Sequence, residues 1–143
     1  MISADKINDG FKGAIHCSQQ VAEYYAEKLG FDRETAMRLT APFGAGMFIG
    51  EVCGAVCGAM VVIGMKYGHC KHGDAEGNAA MMAKVAEFNK EFISRNGTVV
   101  CRDLVGQDFS QPGELEKAFA NGRIFEFCPK MVQDTIDILE KIL

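Results

Sequence analysis

The sequence predicts an all-α fold, a compact bundle of about five helices joined by short loops. Three observations support this prediction. Apolar residues recur at helical spacing through most of the chain, glycine or proline follows the apolar segments, and no segment alternates apolar and polar side chains as a strand does. Because the 143 residues are 48% hydrophobic and 24% charged, we expect one domain spanning residues 1–143.

The first two helices are predicted from apolar spacing and from stop signals. Residues 7–29 carry apolar side chains at roughly helical intervals, and Gly30 follows as a stop. Asp32 is a favourable N-cap for a second helix, which should end before Pro42. We therefore expect the chain to open with one long and one shorter helix.

The middle of the chain predicts two further helices. Residues 43–50 are rich in glycine and indicate a loop, and the apolar residues 52–65 then predict a buried third helix. This apolar segment falls short of the roughly 20 residues that a bilayer requires, so no membrane insertion is expected. A polar break at residues 66–73 precedes the fourth helix, residues 74–96, and Gly97 is a clean stop for it.

The C-terminal part is more fragmented. Residues 98–100 could be extended but have no predicted partner, and Cys101 should start a brief helical turn. Glu114–Ala120 is predicted to be helical, with a break at Gly122. Cys128 and Pro129 indicate the start of the last helix, because proline fits the first turn of a helix.

Charge and motifs exclude several classes of function. A net charge of −4 gives no electrostatic footprint for a phosphate backbone, so we expect no nucleic-acid partner. The first ten residues lack the apolar core of a signal peptide, which predicts a cytoplasmic protein. The glycines between positions 44 and 50 do not have the spacing of a dinucleotide fingerprint, and no hydrolase motif is present.

The six cysteines are the most informative residues. In a reducing cytoplasm, conspicuous cysteines more often bind metal or react than form structural disulfides, although a buried cysteine can also serve as a small core residue. Cys53 and Cys57 should share one face of the third helix. Gly54 and Gly58, one turn apart, would allow backbone or a cofactor to approach closely, or would serve helix packing alone.

The positions of the cysteines also bear on their acidity. Cys53 and Cys128 fall near predicted helix N-termini, where partial positive charge favours a thiolate. Cys101 is followed by Arg102, a second source of positive potential, and Cys17 lies in the middle of the first predicted helix. These positions indicate thiols that are poised for ligation or attack.

Histidines near two of the cysteines suggest weaker alternatives. His69, Cys70 and His72 together suit zinc, copper or nickel, but they are crowded and lack a fourth ligand, so a solvated loop is the simpler interpretation. His16 precedes Cys17 and could act as a base or a ligand. Adjacent helical residues point about 100° apart, which favours a core or surface role for His16.

The cysteine pattern resembles a known family. Cys17, the central Cys53-Gly54-Ala55-Val56-Cys57-Gly58, Cys101 and Cys128 are similar to the redox-active proteins labelled C_GCAxxG_C_C, although this chain reads Cys-Gly-Ala where the label reads Gly-Cys-Ala. Cys57 and Cys70 are additions to that pattern. The resemblance implies a redox function carried by four thiols, those of Cys17, Cys53, Cys101 and Cys128.

Three functions remain open at this point. In the first, these four cysteines hold an iron–sulfur cluster or a single metal ion and exchange electrons with an unknown redox partner protein. In the second, pairs of them cycle between dithiol and disulfide, with Cys57 as a possible additional thiol. In the third, the chain is a binding or assembly module, which could form a homo-oligomer through its apolar and glycine faces.

Overall fold

The computed structural model describes residues 2–143, which form eight α-helices and no strand. Short 3₁₀ turns lie at Glu27–Leu29 and Ala41–Phe43, and a further turn lies at Gly46–Gly50. The helices are α1 (Ala4–Lys12), α2 (Cys17–Ala26), α3 (Arg33–Thr40), α4 (Gly54–Tyr67), α5 (Ala75–Asn96), α6 (Cys101–Val105), α7 (Glu114–Ala120) and α8 (Arg123–Ile142). The all-α prediction is confirmed, but the expected number of about five helices is wrong.

The first predicted helix is two helices, and this accounts for part of the difference in number. The chain leaves α1 at Gly13, and Ala14 adopts a left-handed backbone with φ of 61°. The buried Gln20 amide donates hydrogen bonds to the carbonyls of Ile7 and Ile15, which ties the two helices together across the break. As a result, Cys17 is the first residue of α2, whereas the sequence predicted a position in mid-helix.

The last helix begins at Arg123, so the predicted start at Cys128 and Pro129 is wrong. Proline inside a helix has no N–H for the carbonyl four residues earlier, which is that of Phe125. The side-chain amide of Asn8 donates to this carbonyl at 3.3 Å instead. A contact with α1 therefore satisfies the carbonyl and lets the helix pass through Pro129.

Helix α4 lies at the centre of the fold. It is apolar around much of its circumference, which is typical of a buried helix, and its side chains Val62 and Ile63 are fully buried. Gly58 lets it approach α2, because a Cβ at Gly58 would lie 2.8 Å from the Ser18 carbonyl oxygen. None of the helices within residues 2–143 combines the length and apolar character that a membrane crossing requires.

Helices α5 and α8 close the other side of the core. Phe88 and Phe92 of α5 are completely buried and stack with ring centroids 5.9 Å apart. At the surface, Arg95 of α5 donates to Asp137 of α8 at 2.7 Å. These contacts hold α8 beside the central helix and thereby position Cys128.

The buried hydroxyl of Tyr25 gives a test of how α2 is fixed to α8. It donates to Glu140 Oε1 at 2.8 Å and lies 3.1 Å from the Ile136 carbonyl oxygen. We expect Tyr25→Phe to lower the free energy of unfolding by about 1–2 kcal/mol, because the hydrogen bond is lost. Tyr24→Phe is the matched control, since within residues 2–143 the Tyr24 hydroxyl makes no hydrogen bond. Equal losses in urea unfolding of the two variants would contradict this account.

Candidate functional site

An antiparallel backbone bridge brings two of the predicted cysteines together. Val52, just before α4, pairs with Val100, just before α6. The Cys53 N–H donates to the Val99 carbonyl at 2.7 Å, and the Cys101 N–H donates to the Glu51 carbonyl at 2.6 Å. The extended residues 98–100 therefore have a partner, although none was predicted, and Cys53 and Cys101 begin their helices from adjacent positions.

Cys17 reaches the same place from α2. The space it needs is provided by Gly54, because a Cβ at Gly54 would lie 2.4 Å from the Cys17 sulfur and 2.8 Å from the Phe43 carbonyl oxygen. The sequence predicted close approach at both Gly54 and Gly58. At Gly54 the approaching atom is the thiol sulfur itself, whereas at Gly58 it is the backbone of α2.

Cys128 completes the group from α8. Together, Cys17, Cys53, Cys101 and Cys128 line one cavity of about 30 Å³, which we call the thiol chamber. The remaining lining is His16, the small residues Ala45 and Gly54, and the apolar side chains of Phe11, Leu104, Val105, Phe109, Leu115, Phe119, Ile124 and Met131. No Lys, Arg, Asp or Glu of the described residues is part of this lining, but Arg102 acts from outside it and, as the sequence predicted, lowers the pKa of Cys101.

Burial dominates the acidity of the four thiols. It raises the pKa of Cys17, Cys53, Cys101 and Cys128, for Cys101 to about 12, because the anion loses solvation. The expected lowering by helix N-termini is therefore outweighed at Cys53, and Cys128 is not at a helix start at all. Repulsion by neighbouring thiolates raises the pKa of Cys53 and Cys128 further, which places these sulfurs within electrostatic reach of each other.

Backbone amides oppose this effect at Cys17 more than at the other thiols. The backbone groups of Ser18, Ala45, Ala55 and Cys17 itself lower its pKa, although burial remains the larger influence. Ser18 and Ala55 belong to the first turns of α2 and α4, where partial positive charge favours a thiolate. The Cys17 sulfur is thus the position in the thiol chamber where the backbone best accommodates negative charge.

Cys57 lies just outside the thiol chamber. Its half-buried sulfur donates a hydrogen bond to the Val52 carbonyl at 3.6 Å, and burial raises its pKa to about 11. Repulsion by Cys17 raises the pKa of Cys57 as well. Cys57 and the chamber residue Cys128 are both half-buried, whereas Cys17, Cys53 and Cys101 are buried.

The weaker histidine and cysteine cluster is remote from this site. His69, Cys70 and His72 are all exposed in the loop between α4 and α5. Within residues 2–143, no three His, Cys, Asp or Glu side chains have the spacing needed to share one metal ion. The metal chemistry suggested for this loop remains a prediction.

His16 and residues 45–48 add parts that the sequence did not place at the site. His16 is the N-cap of α2 and lines the thiol chamber, where burial lowers the pKa of its imidazole. Its ring packs edge to face on Phe48 at a centroid distance of 5.0 Å. The glycine-rich character of residues 43–50 was the one sequence signal for this segment, and it indicated only a loop.

Comparison with protein-family models identifies the family of this chain. A family model described as "Putative redox-active protein (C_GCAxxG_C_C)" matches residues 15–142, which include all four chamber cysteines. The chain belongs to the C_GCAxxG_C_C family of redox-active proteins. Comparisons with curated proteins and with solved structures gave no match. The matched range also contains Cys57 and Cys70, which lie outside the thiol chamber.

The space around Cys17 can be tested with two glycines of the same helix. Gly54→Ala places a methyl group 2.4 Å from the Cys17 sulfur, whereas nothing lies within 4 Å of a Cβ at Gly64. We expect Gly54→Ala to lower the free energy of unfolding of the reduced protein by roughly 1–3 kcal/mol through overpacking. Gly64→Ala should raise it by up to about 1 kcal/mol, because alanine favours helix. Changes of the same sign in both variants would show that Gly54 is not sterically required.

The raised thiol pKa values predict alkaline destabilisation of the reduced, metal-free protein. A thiol with pKa raised from 9.0 to about 12, as at Cys101, favours the folded state below pH 9. Above pH 9 the unfolded chain ionises first, so this stabilisation is lost as the pH rises toward 12. We expect urea unfolding between pH 8 and pH 11 to show a shallower pH dependence in Cys101→Ala than in the parent. Cys70→Ser, at an exposed position, should keep the parent's dependence; identical slopes in all three proteins would contradict the assignment.

Proposed function

We propose that the thiol chamber is a four-thiolate metal centre, an iron–sulfur cluster in the first instance, through which the protein transfers electrons to and from a partner protein. The observation that supports the proposal is the convergence of Cys17, Cys53, Cys101 and Cys128 on one apolar cavity. Four thiolates are the usual ligand set of an iron–sulfur cluster and also of a tetrahedral ion. When bound, an iron–sulfur cluster supplies reversible one-electron transfer.

The four cysteine thiols match the ligands of such a centre in chemical type and in number. The four thiols lie in a chamber whose lining has no permanently charged side chain among the described residues, and a cationic centre would balance their charge once they ionise. Among the described residues, no group of His, Cys, Asp or Glu side chains is spaced to share one metal ion, and the cavity volume is only about 30 Å³. The four thiols must therefore move for any metal to bind. Met131, a flexible side chain in the lining, can yield space for that movement.

The residues of this chain have distinct tasks in the proposed centre. Cys17 receives the backbone amides of Ser18, Ala45 and Ala55, which stabilise negative charge on its sulfur. The bridge between Val52 and Val100 fixes Cys53 and Cys101 side by side. The aromatic lining, including Phe109 and Phe119, excludes water and limits exchange of the ligands.

A second function is favoured by a specific observation. All six cysteines are free thiols, and the half-buried Cys57 lies within electrostatic reach of Cys17 and Cys101. In a dithiol mechanism, two of these thiols would form one S–S bond and release two protons, and a disulfide of the partner would accept the two electrons. Cys57 would then connect the buried thiols to the partner.

Purification without oxygen tests the proposal. We expect iron and acid-labile sulfide near stoichiometry with the chain, together with visible absorbance. Serine variants of the four chamber cysteines should each lower iron content or affinity at least about tenfold, because each removes a ligand. Cys70→Ser should retain the parent's iron, since Cys70 is exposed in a distant loop.

The alternative outcomes separate the candidate functions. A colourless, metal-free protein whose thiols form a disulfide reversibly would overturn the metal centre and support the dithiol mechanism, and Cys57→Ser would then impair the exchange. Four chamber variants that all behave like Cys70→Ser in metal content and in thiol oxidation would contradict both.

A further inference from the structure

Residues 45–48 form a turn with an unusual backbone, which we call the strap. Ala45, Gly46, Met47 and Phe48 are consecutive and all have positive φ, at 49°, 63°, 57° and 60°. Residues with a Cβ rarely adopt this conformation, since the Cβ approaches the following carbonyl. Three non-glycine residues of this kind within four positions persist only where surrounding contacts impose them, and such places are common at functional sites.

The strap is held firmly on its N-terminal side. Ser18 Oγ donates to the Thr40 carbonyl at 2.7 Å, which fixes the end of α3 against α2. Gly44 then passes so close to His16 that a Cβ there would lie 2.5 Å from the imidazole ring. The Phe48 ring packs on the same imidazole.

The C-terminal side is held as firmly. The Glu51 N–H donates to the Gly46 carbonyl at 3.0 Å, and the Glu51 carbonyl accepts from Cys101. The Arg102 guanidinium binds the Glu51 carboxylate at 2.9 Å and the Gly50 carbonyl at 3.3 Å. The strap is therefore fixed to two of the four segments that carry chamber cysteines, the start of α2 and the start of α6.

The strap touches the thiol chamber at two points. Ala45 belongs to the chamber lining together with Cys17. Gly46 packs directly on Cys101, because a Cβ at Gly46 would lie 2.9 Å from the Cys101 Cβ and 2.5 Å from the Glu51 nitrogen. No side chain other than hydrogen fits at Gly46 without displacing the strap.

We propose that the strap is a positioning element that holds Cys17 and Cys101 in place and thereby sets the redox potential of the thiol chamber. The second part rests on the proposed redox function. The potential of a sulfur-ligated centre depends on the hydrogen bonds and the solvent exposure of its sulfurs, so a displaced strap shifts the midpoint potential.

Gly46→Ala and Gly30→Ala form a matched pair of variants. Both glycines have positive φ, 63° and 82°, so an alanine is strained at either position. Nothing lies within 4 Å of a Cβ at Gly30, whereas the Cβ at Gly46 collides with Cys101 and Glu51. We expect Gly46→Ala to lose more thermal stability than Gly30→Ala, because its Cβ collides with neighbours in addition to straining the backbone, and to shift the midpoint potential, which Gly30→Ala should leave unchanged.

A second readout uses the reduced, metal-free protein and does not depend on redox activity. Alkylation by iodoacetamide can be followed residue by residue with mass spectrometry. We expect it to be at least about tenfold faster at Cys17 and Cys101 in Gly46→Ala. A tenfold rise corresponds to a local opening whose free energy falls by about 1.4 kcal/mol. Cys53 and Cys128 should change less, and Gly30→Ala should match the parent. If Gly46→Ala does not fold, Phe48→Ala loses the contact with His16, and Ile49→Ala, at an exposed position, is its control.

The two readouts separate failure of the strap from failure of the proposed function. Unchanged alkylation in the folded Gly46→Ala or Phe48→Ala variant, or equal acceleration in its control, overturns the positioning role. Faster alkylation with an unchanged midpoint potential overturns the role in setting the potential. A protein without any redox couple overturns the proposed function and that second role, while the alkylation rates still decide the first.

Discussion

Two backbone hydrogen bonds, from Cys53 to the Val99 carbonyl and from Cys101 to the Glu51 carbonyl, join segments that are distant in the sequence. They set where α4 and α6 begin, and each helix begins at or beside a cysteine. A backbone bridge of this kind is insensitive to side-chain rotamers, so it fixes the two sulfurs more firmly than packing alone would. Cys17 and Cys128 are then placed relative to this pair by the packing of α2 and α8 on α4.

The thiol chamber combines features that oppose one another. Its apolar lining raises the pKa of every chamber thiol, while the amides around Cys17 partly reverse that effect. Arg102 lowers the pKa of Cys101, but burial remains the larger influence there. Thiols with raised pKa values stay protonated at neutral pH and are poor nucleophiles. A bound cation would stabilise the thiolates, so the proposed metal centre is compatible with the apolar lining.

Much of the fold and the identity of the site could be predicted from the sequence, because apolar spacing and cysteine pattern are local signals. The all-α class, helix α5 with its end at Gly97, and helix α7 were predicted from these local signals and are confirmed. The break at Ala14 and the continuation of α8 through Pro129 were not predicted, because each depends on a side chain elsewhere in the sequence, Gln20 in one case and Asn8 in the other. The pairing of Val52 with Val100 was not predicted either, because its hydrogen bonds join backbone segments that are distant in the sequence.

The roles of the glycines show most clearly what the sequence leaves open. Gly46, Gly50, Gly54 and Gly58 recur every four residues, and for Gly54 and Gly58 the sequence left open whether they serve close approach or helix packing. In the fold they serve four neighbours: Gly46 faces Cys101, Gly50 faces Arg102, Gly54 faces the Cys17 sulfur, and Gly58 faces the backbone of α2. A substitution at Gly58 therefore reports on helix packing, whereas one at Gly46 or Gly54 displaces a chamber cysteine directly. The thiol chamber and the helix interface share one segment of chain, so the stability of the fold and the geometry of its thiols cannot vary independently there.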